Sequence, residues 1–157
     1  MKILSRKEIR KTLTENPKVY NAILINEPQT FPHNVNEVSD LVPFCKESFY
    51  TEFNDTNFPT RQGAPTLEDI KSILEWAKTI DEPLLVACRA GISRSAAIAY
   101  LVECQKSSPE KAIQVLETRK HSPNELIIKY GIELLGRKIV PPIREFFIKN
   151  QGYCLFD

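Results

Sequence analysis

Two residue types at one spacing could do chemistry in this chain. Cys88 follows the apolar run Leu84-Leu85-Val86-Ala87 directly, five residues separate it from Arg94, and Ser95 comes next, in the segment LLVACRAGISRS. A loop wrapped between a strand end and a helix start turns successive backbone N–H groups into one concavity. With the helix dipole behind it, that concavity is a cradle for a phosphate-like dianion. Gly91 admits a backbone conformation that a side chain resists. Arg94 offers a planar fork of donors to two phosphate oxygens. A thiol held in the same positive field ionises more readily than a free cysteine of pKa about 8.5, and the thiolate is a nucleophile. Such a cradle also stabilises the spread charge of a phosphoryl-transfer transition state. Any single cysteine can instead be a small buried hydrophobe. The glycine, the flanking apolar strand and the apolar helix favour the nucleophile.

The elements around this segment predict an α/β fold with a mostly parallel central sheet flanked by helices. Residues 84–87 are wholly apolar, as suits a central parallel strand. Residues 93–105 are apolar almost all round and read as a buried helix. Upstream, residues 5–15 carry Ile9 and Leu13 four apart, a weak amphipathic helix closed by Pro17. Residues 19–25 (VYNAILI) and 48–53 (SFYTEF) read as strands. Residues 26–42 are irregular, with a short element near Val38. Residues 54–65, with Pro59, Gly63 and Pro65, form a loop long enough to suggest a functional one. Thr66 and Asp69 predict a capping box ahead of Leu67, Ile70, Ile73, Leu74 and Ala77. Ser108-Pro109 and Ser122-Pro123 each predict an N-cap with Pro at the first helical position, Glu125 completing the second box and Gly136 ending that helix. A last helix covers residues 142–149, with Ile143, Phe146 and Phe147 on one side. Strands alternating with helices, then helices alone, are the α/β pattern.

Composition bounds the rest. The chain has 157 residues, 42% of them hydrophobic, with 21 Lys plus Arg against 20 Asp plus Glu. That suits a single domain over residues 1–157. A net charge of +1 gives no global field for nucleic acid or an anionic membrane. The longest apolar run, residues 96–102, falls far short of the ~18 residues that span a bilayer. No apolar signal region follows Met1, so a soluble, cytoplasmic setting is expected. The four cysteines Cys45, Cys88, Cys104 and Cys154 form no C-x-x-C pair, and His33 and His121 lie far from them, so no metal site is expected.

Cys88-Arg89-Ala90-Gly91-Ile92-Ser93-Arg94-Ser95 resembles the signature loop of the cysteine-dependent protein tyrosine phosphatases, in their small bacterial dual-specificity-like branch. The similarity extends from about Val19 onward. Phe53-Asn54-Asp55 resembles the family's acid-bearing loop, and Ser122-Pro123-Asn124 with Leu134-Leu135-Gly136 resembles its later helical region. One position departs: the family usually has His before the cysteine, and this chain has Ala87. The resemblance implies phosphomonoester hydrolysis through a phosphocysteine intermediate, with no cofactor or metal. It makes Cys88 the nucleophile and residues Cys88, Arg89, Ala90, Gly91, Ile92, Ser93 and Arg94 the phosphate-binding loop. It also implies that the Ser95 hydroxyl assists the departing sulfur; a helix-start serine satisfying a backbone donor is the alternative. Relatives place the general acid roughly thirty residues before the cysteine, and Asp55 stands 33 before it. A solvated loop carboxylate is the other reading of Asp55. Asp69 has a capping job, Asp40 sits in a turn and Asp81 at a helix end. Arg89 is either a rim cation or a surface residue, and Asn124 is expected to cap or pack near the loop without touching the chemistry.

The expected substrates are phosphorylated proteins or small phosphomonoesters. Phosphotyrosine leads, with phosphoserine and phosphothreonine admitted by the shallower pocket of a short chain. Phosphoinositides are less favoured, because lipid-acting relatives tend to carry lysines in the loop and this one has none. A non-catalytic phosphoresidue-binding module is the alternative that Ala87 motivates. Retention of Cys88, Arg94, Ser95 and Asp55 together argues against it.

Overall fold

The computed structural model describes residues 1–28 and 38–156. Four parallel strands make one sheet: β1 (Lys2–Ser5), β2 (Asn21–Asn26), β3 (Ser48–Glu52) and β4 (Leu84–Cys88), in the spatial order β1-β4-β2-β3. Helices α1 (Arg6–Glu15), α2 (Leu67–Ala77), α3 (Arg94–Lys106), a single turn α4 (Pro109–Ala112), α5 (Glu125–Leu135) and α6 (Val140–Gln151) cover it. The expected α/β class and parallel sheet are what the chain adopts.

Side-chain alternation along the two inner strands sorts the core into two layers, because successive strand residues point to opposite faces. Ala22, Leu24, Leu85 and Ala87 pack with Ile9 and Leu13 of α1 and with Leu41. Ile23, Ile25, Leu84, Val86 and Cys88 pack on the opposite face with residues of α2, α3, α5 and α6. Both inner strands are wholly buried, as parallel strands covered on two faces must be. Helix α3 supplies the heart of the larger layer; Ala96 through Val102 are all 0% exposed.

Several local signals act as the sequence predicts. Thr66 and Asp69 form a complete capping box for α2, with Thr66 N donating to Asp69 Oδ2 at 2.8 Å and Asp69 N to Thr66 Oγ1 at 3.1 Å. Ser108 caps α4, and Gly136, at φ 91°, ends α5. A short 3-10 helix, Ser39–Phe44, stands where an element near Val38 is expected. His33 and the rest of residues 29–37 lie outside the described residues.

Two expectations need correction. Strand β1 is not foreseen, because four residues with one Ile-Leu pair carry no periodicity; its pairing with β4, from Lys2–Leu85 to Ser5–Cys88, makes it a strand. The N-cap of α5 is Asn124 and not Ser122. Asn124 Oδ1 accepts from Ile127 N at 2.9 Å. Residues 122–124 are drawn out of helical geometry by tertiary bonds, Ser122 N donating to Ile92 O at 3.0 Å and Asn124 N to Ser93 O at 3.1 Å.

Candidate active site

The loop from Cys88 to Arg94 leaves the C-terminal end of the central strand and enters the N-terminus of α3, the crevice position where open α/β sheets bind ligands. It is fixed from several sides. Gly91 adopts φ +69°, and a Cβ there would stand 2.6 Å from Ser5 N and 2.7 Å from the Leu4 carbonyl carbon. The corner between β1 and α1 is therefore the wall on which the loop rests. Arg6 N donates to Arg89 O at 3.1 Å across the same wall, while Ile92 O and Ser93 O are held by residues 122 and 124. A cradle of backbone amides needs such external support, since its own N–H groups must stay free for the ligand.

Helix α3 has no side-chain cap, although Ser93 occupies its N-cap position. Ser93 Oγ is engaged elsewhere, donating to Asp55 Oδ1 at 2.8 Å. The first N–H groups of a 13-residue helix are thereby left without a side-chain acceptor at the end where its dipole is positive. That is the electrostatic setting an anion needs.

Within the loop, Cys88 Sγ lies 3.0 Å from Ser95 Oγ, both residues being buried. The hydroxyl is therefore in hydrogen-bond reach of the sulfur. Arg94 is 3% exposed. Its Nη1 donates to Phe53 O at 2.9 Å and its Nη2 to Glu27 Oε1 at 2.8 Å, and its Nε is buried without a partner among the described residues. Buried donors are ordinarily satisfied, so the vacant Nε is a donor that a bound anion would complete. Burial raises the Glu27 pKa, but the hydrogen bond and charge of Arg94, with the charge of Arg6, outweigh it and leave the carboxyl below its ordinary range. Glu27 belongs to this site and is absent from the sequence reading; it follows an apolar strand without any spacing that ties it to residue 94.

Asp55 is brought to the same place from residues 54–65, which are irregular as expected. Its Oδ1 accepts from Ser93 Oγ and from Asn124 Nδ2, each at 2.8 Å, and its Oδ2 has no partner among the described residues. Because Asn124 Oδ1 is committed to Ile127 N, the orientation of that amide is set by the network. Asn124 thus caps α5, as a residue near the loop is expected to do, and in addition holds Asp55. Two of the rival carboxylates are employed elsewhere. Asp69 caps α2, and Asp40 forms an ion pair with Arg10 at 2.7 Å.

Glu27, Asp55, Cys88, Arg89, Ala90, Ile92, Ser93 and Arg94 line one cleft of about 320 Å³. Arg89 therefore contributes to the cleft, and Ile92, 41% exposed, forms part of its lip. Hollows of about 460 and 750 Å³ elsewhere are larger, but neither joins a nucleophile, a guanidinium and a carboxylate. The 320 Å³ cleft can seat a phosphoryl group between a thiol, a helix N-terminus and a carboxyl oxygen. Burial pushes the thiols of Cys45 and Cys104, which lie outside this cleft, up to about 11.

The dual specificity phosphatase catalytic domain family matches residues 12–129. Among solved structures, that of Tk-PTP in its active form superposes with a TM-score of 0.52 at 15% identity, covering 87% of this chain and 88% of the other. PTPMT1 in complex with PI(5)P gives 0.50 at 19% identity, covering 87% and 90%. No curated protein matches the chain in sequence.

Proposed function

The chain belongs to the dual specificity phosphatase family by its catalytic domain, and on that premise we propose that it hydrolyses phosphotyrosine, and also phosphoserine and phosphothreonine, in proteins through a phosphocysteine intermediate. One observation supports this most directly. The thiol of Cys88, the Arg94 guanidinium with its vacant Nε, and a carboxyl oxygen of Asp55 share a single cleft.

In the first step the Cys88 thiolate attacks phosphorus, so that an S–P bond forms as the P–O bond to the leaving group breaks. Arg94 and the loop amides hold the equatorial oxygens, where charge accumulates. Asp55 gives its proton to the leaving oxygen. Two donors on Oδ1 leave Oδ2 as the atom to carry that proton. In the second step water attacks phosphorus, the Asp55 carboxylate takes the water's proton, and the S–P bond breaks. Ser95 Oγ, 3.0 Å from the sulfur, donates to the departing thiolate.

The PI(5)P complex of PTPMT1 raises a phosphoinositide as substrate. Residues 88–94 hold no lysine, which supports the phosphoprotein reading over the lipid one. The decisive experiment is turnover of para-nitrophenyl phosphate with and without orthovanadate, in the wild type and in Cys88→Ser. Vanadate-sensitive turnover is expected in the wild type. Its loss in Cys88→Ser, with vanadate affinity largely retained because the cradle is backbone and Arg94, is the expected companion result. Residual Cys88→Ser activity above a few per cent would remove Cys88 as nucleophile.

A further inference from the structure

The arginine of the cradle is itself held by an anion, and that anion has a second cation behind it. Glu27 Oε1 accepts from Arg94 Nη2 at 2.8 Å, and Glu27 Oε2 accepts from Arg6 Nη2 at 2.6 Å. The same Arg6 nitrogen donates to Asn26 Oδ1 at 2.9 Å. Arg6 opens α1 directly behind β1, so the bridge runs from the edge of the sheet to the cleft. It also lies outside residues 12–129, the stretch matched by the catalytic-domain family.

A carboxylate on the phosphate-binding arginine has two opposed effects. It fixes the guanidinium, and it cancels the charge that the substrate dianion needs. Arg94 and Glu27 alone sum to zero; adding Arg6 restores one positive charge to the group. The Glu27 side chain is 25% exposed and that of Arg6 20%, so water screens this balance without abolishing it. A merely structural pairing would not require the second cation to share the carboxylate that touches Arg94.

We propose that Arg6 is a positioning residue for the phosphate site: by neutralising Glu27 it lets that carboxylate orient Arg94 while the cradle keeps its net positive charge toward the substrate. This rests on the reading of residues 88–94 as a phosphate cradle. It adds the β1–α1 corner to the machinery through charge, beyond the wall it forms under Gly91.

The test compares wild type, Arg6→Met, Glu27→Gln and the double variant, reading orthovanadate inhibition of para-nitrophenyl phosphate turnover, KM and kcat, with thermal melts to verify folding. Arg6→Met is expected to weaken vanadate roughly tenfold and raise KM in step, with kcat changed by less than about threefold, as an uncompensated carboxylate in a partly screened site implies. Glu27→Gln is expected to bind vanadate at least as tightly as the wild type. The double variant, neutral where the wild type holds a neutral pair, is expected to return to within about threefold of wild-type affinity. A double variant as weak as Arg6→Met would show that Arg6 only fastens the corner, and would overturn the proposal. Should Arg6→Met fail to fold, Arg6→Lys decides: it keeps the cation without the fork, so vanadate affinity within about threefold of wild type is expected, and a tenfold loss in a folded Arg6→Lys would overturn the charge argument. A wild type that neither turns over substrate nor binds vanadate would sink the phosphatase reading, and this inference with it. Wild-type turnover with unchanged vanadate affinity in Arg6→Met would sink only the inference.

Discussion

Asp55 is defined less by itself than by its two donors. With Ser93 and Asn124 both on Oδ1, the carboxyl cannot rotate without losing a bond, and only Oδ2 is free to exchange a proton. Asp55→Asn is expected to slow phosphotyrosine peptides by 10²–10⁴-fold, the usual worth of a positioned acid. An aryl phosphate with a strongly acidic leaving group needs less protonation and is expected to lose much less. Equal losses across a leaving-group series would remove Asp55 as the acid. Asn124→Ala is expected to show the same leaving-group dependence in weaker form. It also removes the α5 cap, at about 1 kcal/mol of stability. A denaturant melt that fell without any change in leaving-group dependence would reduce Asn124 to a cap. The sequence could place Cys88 and Arg94 in one loop because strand, loop and helix signals sit within a dozen residues of both, and the resemblance to the phosphatases' acid-bearing loop pointed to Asp55; all three line the same cleft. Glu27 was not legible, since its contact spans 67 positions and depends on β2 lying beside β4. The double role of Asn124 was hidden for the same reason.

At the scale of elements, β4 faces two layers, and the face decides what each position can hold. Cys88 points toward α3, while Ala87, 0% exposed, points toward Ile9 and Leu13 of α1. The family's usual histidine at position 87 would have to enter this second layer, where the strand lies against the apolar side of α1. Ala87→His is expected to overpack it and cost about 1–3 kcal/mol, read as a lowered midpoint in urea. An unchanged midpoint would mean that the α1 layer yields easily. Gly91→Ala meets backbone instead of side chains, with Ser5 N and the Leu4 carbonyl carbon both under 3 Å from the new Cβ. Backbone cannot swing aside as a rotamer can, so the loop itself must shift. Activity and vanadate affinity are expected to fall together by at least about tenfold, since a cradle displaced by even 1 Å loses its alignment. Strong local caps made α2 and α4 legible. The Ser122 cap failed because bonds to the loop outweigh a local preference, and β1 was silent because only its partner makes it a strand.

Across the whole molecule, charged groups tie the layers in ways that respond to acid. Hydrogen bonding to Arg10 holds the Asp40 carboxyl below its ordinary range, and Arg94 does the same for Glu27 against the opposing effect of burial. Burial, with a lesser contribution from Lys120, lowers His121, whose Nδ1 accepts from Glu117 N at 2.8 Å. A depressed carboxyl adds stability that is complete above its unfolded value and lost as pH falls toward its folded one. A depressed histidine likewise penalises the folded state once pH drops below the unfolded value. Both signs agree, so thermal stability is expected to fall in two stages, first below about 6.5 from His121 and then below about 4.5 from Glu27, joined below about 3.8 by Asp40. His121→Gln is expected to flatten the upper stage alone; two stages surviving in that variant would assign the first to another group. Among the described residues no helix is long and apolar enough to cross a membrane.

The strand order carries a consequence for the order of events during synthesis. Strand β4 is made after β1 and β2 and must insert between them, and among the described residues β1 pairs with no other strand. A ribosome-bound chain that ends before residue 84 can join β2 to β3, but its first strand waits without a partner. Closing Ser5 onto Cys88 spans more than eighty residues, a non-local contact of the kind that forms slowly. The wall beneath Gly91, the Arg6 bridge to Arg94 and the seating of the nucleophile therefore all depend on that closure. The supports that residues 122 and 124 give to Ile92 O and Ser93 O come later still in the chain, so recovery of vanadate-sensitive turnover during refolding is expected to trail the pairing of the central strand.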